Sequence, residues 1–372
     1  MRTCAVYFLS LNACSEDTPL LLSPARQMFF LLGLMLPTPE PATPVEFVEK
    51  EWHRSIELLN AIDNAYAAMF WPTPEEQPNV TDEWYAVRMV AMPAFLHCLG
   101  TTLCASVEQI ADRIRRYIVP FDDEFESALG LSASKALEVA EWIAEYLQSN
   151  ADQLQEVARR ALLTQAQDES YRVHFDDMMM GLRGFLTVSR TAIEDRFGKI
   201  TGDSFWKGFV SRRGDVSSLT YPTERNVAAE KPLFEIEEGV VLCPSTSALC
   251  LAILEIGELQ LSSGETRQSF LKKRDVALEM EVQEKLLPLF GDSAGFYAGV
   301  FETQTLQHEH DLVICRDKRL FVFEAKASPP DEPFRDPDKA FIRLKRAFKS
   351  DGGIQEAYRQ ADRIRRRLAS GD

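Results

Sequence analysis

His308-Glu309-His310-Asp311-Leu312-Val313-Ile314-Cys315, then Arg316-Asp317-Lys318-Arg319, then Leu320-Phe321-Val322-Phe323-Glu324-Ala325-Lys326: two apolar, β-rich runs flank a charged turn. The nearly continuous apolar residues on either side of the turn read as buried central strands, where a charge is costly unless it has a purpose. With Asp317 and Lys318 as the two loop residues, Arg316 faces Arg319, and counting outward sets Asp311 opposite Glu324. Side chains alternate along a strand, so Glu324 and Lys326 share the face of Asp311, and Glu309 falls opposite Lys326 on it. His308 and His310 then point the other way.

Carboxylates gathered this closely repel one another unless a cation sits between them. Hard oxygen donors suit Mg²⁺ or Mn²⁺, which keep several waters and accept one or two carboxylates together with phosphate oxygens. Such an ion activates water and neutralises charge on a phosphodiester, and a neighbouring lysine orients that water or offsets the developing charge. The bland alternative is a solvated hairpin face carrying a cross-strand ion pair. The H-x-H pair has no cysteine or third histidine near it, so it does not read as a zinc site.

Working outward, residues 266–290 read as a helix and 295–301 as a further strand. A loop rich in proline and acid over 328–338 leads to a helical stretch over 339–368, interrupted at Asp351-Gly352-Gly353. The order is therefore helix, three strands, helix.

Asp311, twelve residues, and Glu324-x-Lys326 together resemble the signature of the PD-(D/E)XK nucleases, the restriction-endonuclease-like superfamily. Arg274-Asp275-Val276-Ala277-Leu278-Glu279 is similar to its first helix, and Gln355-Glu356-Ala357-Tyr358-Arg359-Gln360 to its glutamine-bearing helix. The resemblance covers roughly 266–372. It implies an α/β domain around a central mixed sheet and a Mg²⁺- or Mn²⁺-dependent nuclease, with DNA restriction, repair or antiviral defence as settings. It also implies metal ligands Glu279, Asp311 and Glu324, with Lys326 assisting the attacking water and Gln360 as a further site residue. The superfamily core normally has a fourth strand after the glutamine helix, and the chain stops at Asp372. Either another segment fills that edge or the sequence is a truncated product. A non-catalytic binding or regulatory protein on the same scaffold is the alternative function.

The chain has 372 residues, a hydrophobic fraction of 45% and a formal net charge of −16. These values exclude a disordered chain, and also a protein that coats nucleic acid over its whole surface. A nucleic-acid role must lie in a local basic patch, and 339–367 offers one. There Lys339, Arg343, Lys345, Arg346, Lys349, Arg359, Arg363, Arg365, Arg366 and Arg367 face only Asp351, Glu356 and Asp362. DNA is the expected partner, held through phosphates without sequence reading. A solvated helix is the bland reading of the same charges.

The seven cysteines are an odd number without a C-x-x-C pair, which argues for a reducing compartment over a disulfide framework. Leu11-Asn12-Ala13-Cys14 faintly resembles a lipoprotein box behind too short an apolar core, and the run 28–36 is too short to span a bilayer. A cytoplasmic protein without membrane association is expected. No glycine-rich phosphate loop, G-x-S-x-G elbow or H-E-x-x-H motif occurs.

The N-terminal half shows helical spacing. Residues 1–40 read as irregular. Thr43, Pro44 and Glu46 compose a helix start, and Phe47, Trp52, Ile56, Leu59, Ile62 and Tyr66 recur at helical intervals. The expected organisation is an irregular segment over 1–40, an all-helical domain over 41–200, a linker region with a hairpin and helix over 201–265, and the nuclease-like domain over 266–372. The helical region is a place for a protein partner or a second copy to dock.

Overall fold

The computed structural model describes residues 21–22, 24–39, 49–68, 70–82, 84–85, 88–89, 106–167, 186–215, 219–222, 224–302, 309–325, 342, 345–346, 348–349 and 354–370. The chain divides into two compact units. One comprises Met1–Ala67 with Leu96–Ser263, the other Ala68–Phe95 with Gly264–Asp372. The architecture is mixed helix and sheet.

In the first unit, helices α1 (Pro24–Met35) and α2 (Glu49–Ala68) precede α3 (Val107–Arg113), α4 (Asp122–Leu129) and the long α5 (Ala133–Gln167). Ser106 opens α3 with a reciprocal capping box to Gln109, and Ser132 caps α5 by accepting from the Lys135 N–H at 3.3 Å. Strand β1 (Thr187–Ser189), helices α6 (Arg190–Phe197) and α7 (Lys199–Phe209), strand β2 (Val210–Ser211), the single turn α8 (Val227–Glu230), strands β3 (Leu233–Glu237) and β4 (Val240–Leu242) and helix α9 (Thr246–Leu261) complete it. The sheet order is β1-β4-β3-β2, with β2 parallel to β3 and the other pairs antiparallel.

Three expectations are corrected here. Residues 24–35 are helical, although 1–40 read as irregular. Met28, Phe29, Phe30 and Leu32 of α1 pack with Ile56, Leu59, Phe234 and Leu242, so the helix is apolar on most sides and shows little periodicity. The 201–265 region is no linker: its strands and α9 form part of the first unit's core. Gly257 of α9 has no side chain because a Cβ there would lie 2.7 Å from Ile118. Finally, the all-helical domain expected over 41–200 is broken at 187–189, where β1 pairs with β4. The 41–200 segment is therefore not wholly helical. The helix start at Thr43, Pro44 and Glu46 lies outside the described residues.

The second unit follows the expected order closely. Helix α10 (Arg267–Phe290) leads to β5 (Gly295–Phe301), β6 (Glu309–Arg316), β7 (Arg319–Phe323) and helix α11 (Ile354–Ser370). Phe290, at the end of α10, meets the rings of Phe296, Phe321 and Phe323 at 6.2, 4.9 and 6.1 Å, which seats the helix on the sheet. The described strands form an antiparallel sheet in the order β5-β6-β7. The mixed sheet expected in this region lies instead in the first unit.

Candidate active site

The hairpin register is the one the sequence implies. Arg316 pairs with Arg319 and Leu312 with Phe323, around a two-residue turn in which Asp317 and Lys318 both take positive φ, 49° and 64°. Two left-handed residues match the right-handed twist of the flanking strands, and Asp tolerates that conformation through its short polar side chain. Buried Leu312, Val313 and Ile314 fix β6 as the central strand.

At the far end of the hairpin the structure departs from simple counting. Pairing is regular as far as Phe323; beyond it, the Ala325 N–H donates to Asp311 Oδ2 at 2.6 Å. Asp311 is thus joined to the main chain of the Glu324-Ala325 step. The Glu324 carboxylate, however, lies against the ring of His310, with Oε1 2.6 Å from Nδ1. His310 was expected to point away from the site residues, and its partnership with Glu324 is the correction. It arises because β7 leaves the ladder after Phe323, which releases Glu324 from strict alternation.

His310 is fully buried, and its Nε2 lies 3.0 Å from Glu302 Oε1. Glu302 follows the last residue of β5 and its side chain is only 2% exposed. From α11, Arg363 Nε donates to Glu302 Oε1 at 2.8 Å and Arg367 Nη1 donates to the Glu302 carbonyl at 2.8 Å. Burial alone would raise the Glu302 carboxyl. The hydrogen bonds from Arg363 and His310 outweigh it and hold that carboxyl below the usual carboxylate range.

A pH dependence follows. A carboxylate depressed in the folded state adds stability above its unfolded value of about 4.3, and that stability is lost as pH falls through the lower folded value. The melting temperature of the wild-type chain should therefore fall more steeply below pH ~4.3 than that of Glu302→Gln, a comparison that calorimetry at pH 6 to 3 makes directly.

Gly299 on β5 is a second feature that the sequence reading missed. Between the pairs Ala298–Leu312 and Val300–His310 it falls opposite Asp311, at φ 60°. A side chain there would be strained, and a Cβ would come within 3.2 Å of Glu309 Oε1. The Glu309 carboxylate, rather than a side chain from residue 299, lies over this glycine.

The other expected site residues fare unequally. Glu279 is half-buried in α10. Among the described residues no group of three or more His, Cys, Asp or Glu side chains converges to hold a metal, so Glu279, Asp311 and Glu324 do not form one ligand cluster. Gln360 lies three residues before Arg363 and seven before Arg367. It therefore shares the helix face that reaches Glu302. Lys326 and His308 lie outside the described residues.

The basic stretch is less free than its composition suggests. Within α11, Arg359 pairs with Glu356, Arg365 and Arg366 pair with Asp362, and Arg363 and Arg367 are engaged with Glu302. The pairs at Arg365 and Arg366 are exposed on the arginine side and are worth little against a competing phosphate. Lys345, Arg346 and Lys349 are exposed.

Comparisons with protein-family models, curated proteins and solved structures returned no match, so the functional reading rests on residues and geometry alone. Among the described residues, no helix is long and apolar enough to cross a membrane.

Proposed function

We propose that the chain is a Mg²⁺-dependent nuclease that hydrolyses phosphodiester bonds, with DNA as the substrate. The observation that carries this reading is the hydrogen bond from the Ala325 N–H to Asp311, which joins the aspartate to the Glu324-Ala325-Lys326 segment at the end of a buried hairpin. Asp311 and Glu324 are hard oxygen donors, and two carboxylates are the complement Mg²⁺ accepts alongside waters and phosphate oxygens. The set fits that ion better than zinc, because the described residues of the site include no thiolate and its one imidazole, His310, already has a carboxylate at each ring nitrogen. Mg²⁺ bound there would supply a water of lowered pKa and neutralise charge at the scissile phosphate.

The protein's own groups do the rest. Asp311, fixed by the Ala325 N–H, keeps one carboxylate orientation. Lys326 orients the attacking water and offsets charge at the phosphate. Gln360, on the sheet-facing side of α11, is a further polar group for the substrate. Lys345, Arg346, Lys349 and the exposed arginines of α11 track the phosphate backbone, which gives affinity without base reading.

The test is cleavage of supercoiled plasmid and of labelled oligonucleotides by the purified chain with Mg²⁺ or Mn²⁺. Lys326→Ala is the informative variant: a cation is not a ligand, so its removal should leave ion affinity unchanged or raised. Hydrolysis should fall by ~10²–10³-fold, the usual loss for one electrostatic contact to developing charge. Calorimetric Mn²⁺ titration beside the cleavage assay separates the two effects. A second reading, a non-catalytic binding protein on this scaffold, is favoured by one observation, the engagement of Glu324 with buried His310. Nucleic-acid binding without cleavage under any divalent ion would select it.

A further inference from the structure

We infer that His310 and Glu302 are positioning residues for the Glu324 carboxylate, tying it to helix α11 through a buried, hydrogen-bonded relay. This rests on the nuclease reading above and extends it to two residues outside the Asp311…Glu324-x-Lys326 signature. The relay runs Glu324–His310–Glu302–Arg363. Its three links are 2.6, 3.0 and 2.8 Å long, and the side chains of Glu324, His310 and Glu302 are at most 4% exposed.

Two features separate this arrangement from an ordinary buried ion pair. First, Glu324 lies beyond the last pair of the strand ladder, so no regular pairing fixes its direction, and the ring of His310 meets its Oε1 at 2.6 Å. Second, the ring's own orientation is fixed from behind by Glu302, and Glu302 is fixed in turn by Arg363 at its carboxylate and Arg367 at its carbonyl. A carboxylate that binds a cation works best when its rotamer is held in advance, and partners behind such ligands typically matter ~10–100-fold for ion affinity or activity. Gln360 and the exposed arginines belong to the helix at the other end of the relay. Docking of α11 and the orientation of Glu324 are therefore one structural event.

Glu302→Gln is the test variant. The amide is isosteric, and its oxygen still accepts from Arg363 and His310, so folding is preserved while the charge behind the histidine is removed. The full-length variant should lose ~10–100-fold in kcat and in Mn²⁺ affinity by calorimetry, with KM for a DNA duplex unchanged. The second readout is independent of turnover. Mg²⁺ titrated into the ¹⁵N-histidine-labelled chain should shift the His310 ring nitrogens, assigned by their loss in His310→Asn, and at equal ion concentration the shift should be smaller in Glu302→Gln.

Cleavage by wild type with wild-type kcat in Glu302→Gln overturns the inference and leaves the nuclease reading standing, even where the variant melts earlier; the relay is then only a brace. His310 signals unmoved by Mg²⁺ at concentrations that saturate cleavage overturn it likewise. A wild type that does not cleave but shows the His310 shift keeps the relay and removes the nuclease reading. A wild type with neither removes both.

Discussion

Asp311→Asn should abolish divalent-ion-dependent cleavage while leaving the melting transition nearly unchanged. The asparagine side-chain oxygen still accepts the hydrogen bond that Asp311 Oδ2 takes from the Ala325 N–H, so the end of the hairpin keeps its shape. What disappears is the negative charge. An ion that stabilises transition-state charge by several kcal/mol is then held by one carboxylate fewer, which places the expected loss at ~10³-fold or more in rate. Gly299 sharpens the comparison. Opposite Asp311 it offers no side chain of its own, and its φ of 60° leaves no strain-free way to introduce one. Full activity in Asp311→Asn, measured on plasmid with Mg²⁺ and Mn²⁺, would refute the site assignment. Loss of activity together with the melting transition would show instead that the aspartate is a structural hairpin anchor.

The contrast between the two units shows what kind of information the sequence carried. The β6–β7 hairpin was legible to the residue because a two-residue turn fixes register, and register fixes every pair from Arg316–Arg319 to Leu312–Phe323. Phe290 closing α10 against Phe296, Phe321 and Phe323 was equally local in origin. The rule failed where alternation itself ended. Nothing in Phe323-Glu324-Ala325 signals that the chain leaves the ladder, and so the count put Glu324 on the face of Asp311 and missed its turn towards His310. Glu302 was missed for a different reason: its partners Arg363 and Arg367 lie some sixty residues away, and the pairing of a strand-end carboxylate with a distant helix has no periodic trace. The first unit erred through burial. A helix apolar nearly all round, such as Pro24–Met35, loses the 3.6-residue signal that marks a half-exposed one, and strands as short as Thr187–Ser189 give too few alternations to count.

His310→Leu should destabilise the second unit by roughly 3 kcal/mol, the cost of removing one member of a buried polar group and taking a partner from each of the two carboxylates beside it. The imidazole is fully buried, and both of its nitrogens face carboxylates. Leucine fills most of the volume yet leaves Glu324, whose side chain is 4% exposed, without the ring it contacts. Glu302 suffers less because Arg363 still bonds it, so the loss should sit at the lower end of the ~3–5 kcal/mol range for such deletions. The same physics makes a second statement. Replacing all three polar members with apolar residues of similar size, Glu302→Met with His310→Leu and Glu324→Met, removes the buried polar groups together and should recover much of the stability, since well-packed apolar substitutes for buried ion groups are often neutral or better. Arg363 and Arg367, each partly exposed, can turn to water once Glu302 is gone. Denaturant midpoints of the wild type, His310→Leu and the triple variant make the comparison, and the triple variant should be inactive however stable it is. A single variant within ~0.5 kcal/mol of wild type, the range of ordinary surface substitutions, would mean that the trio is hydrated in solution, and the case for a relay held by burial would fall with it.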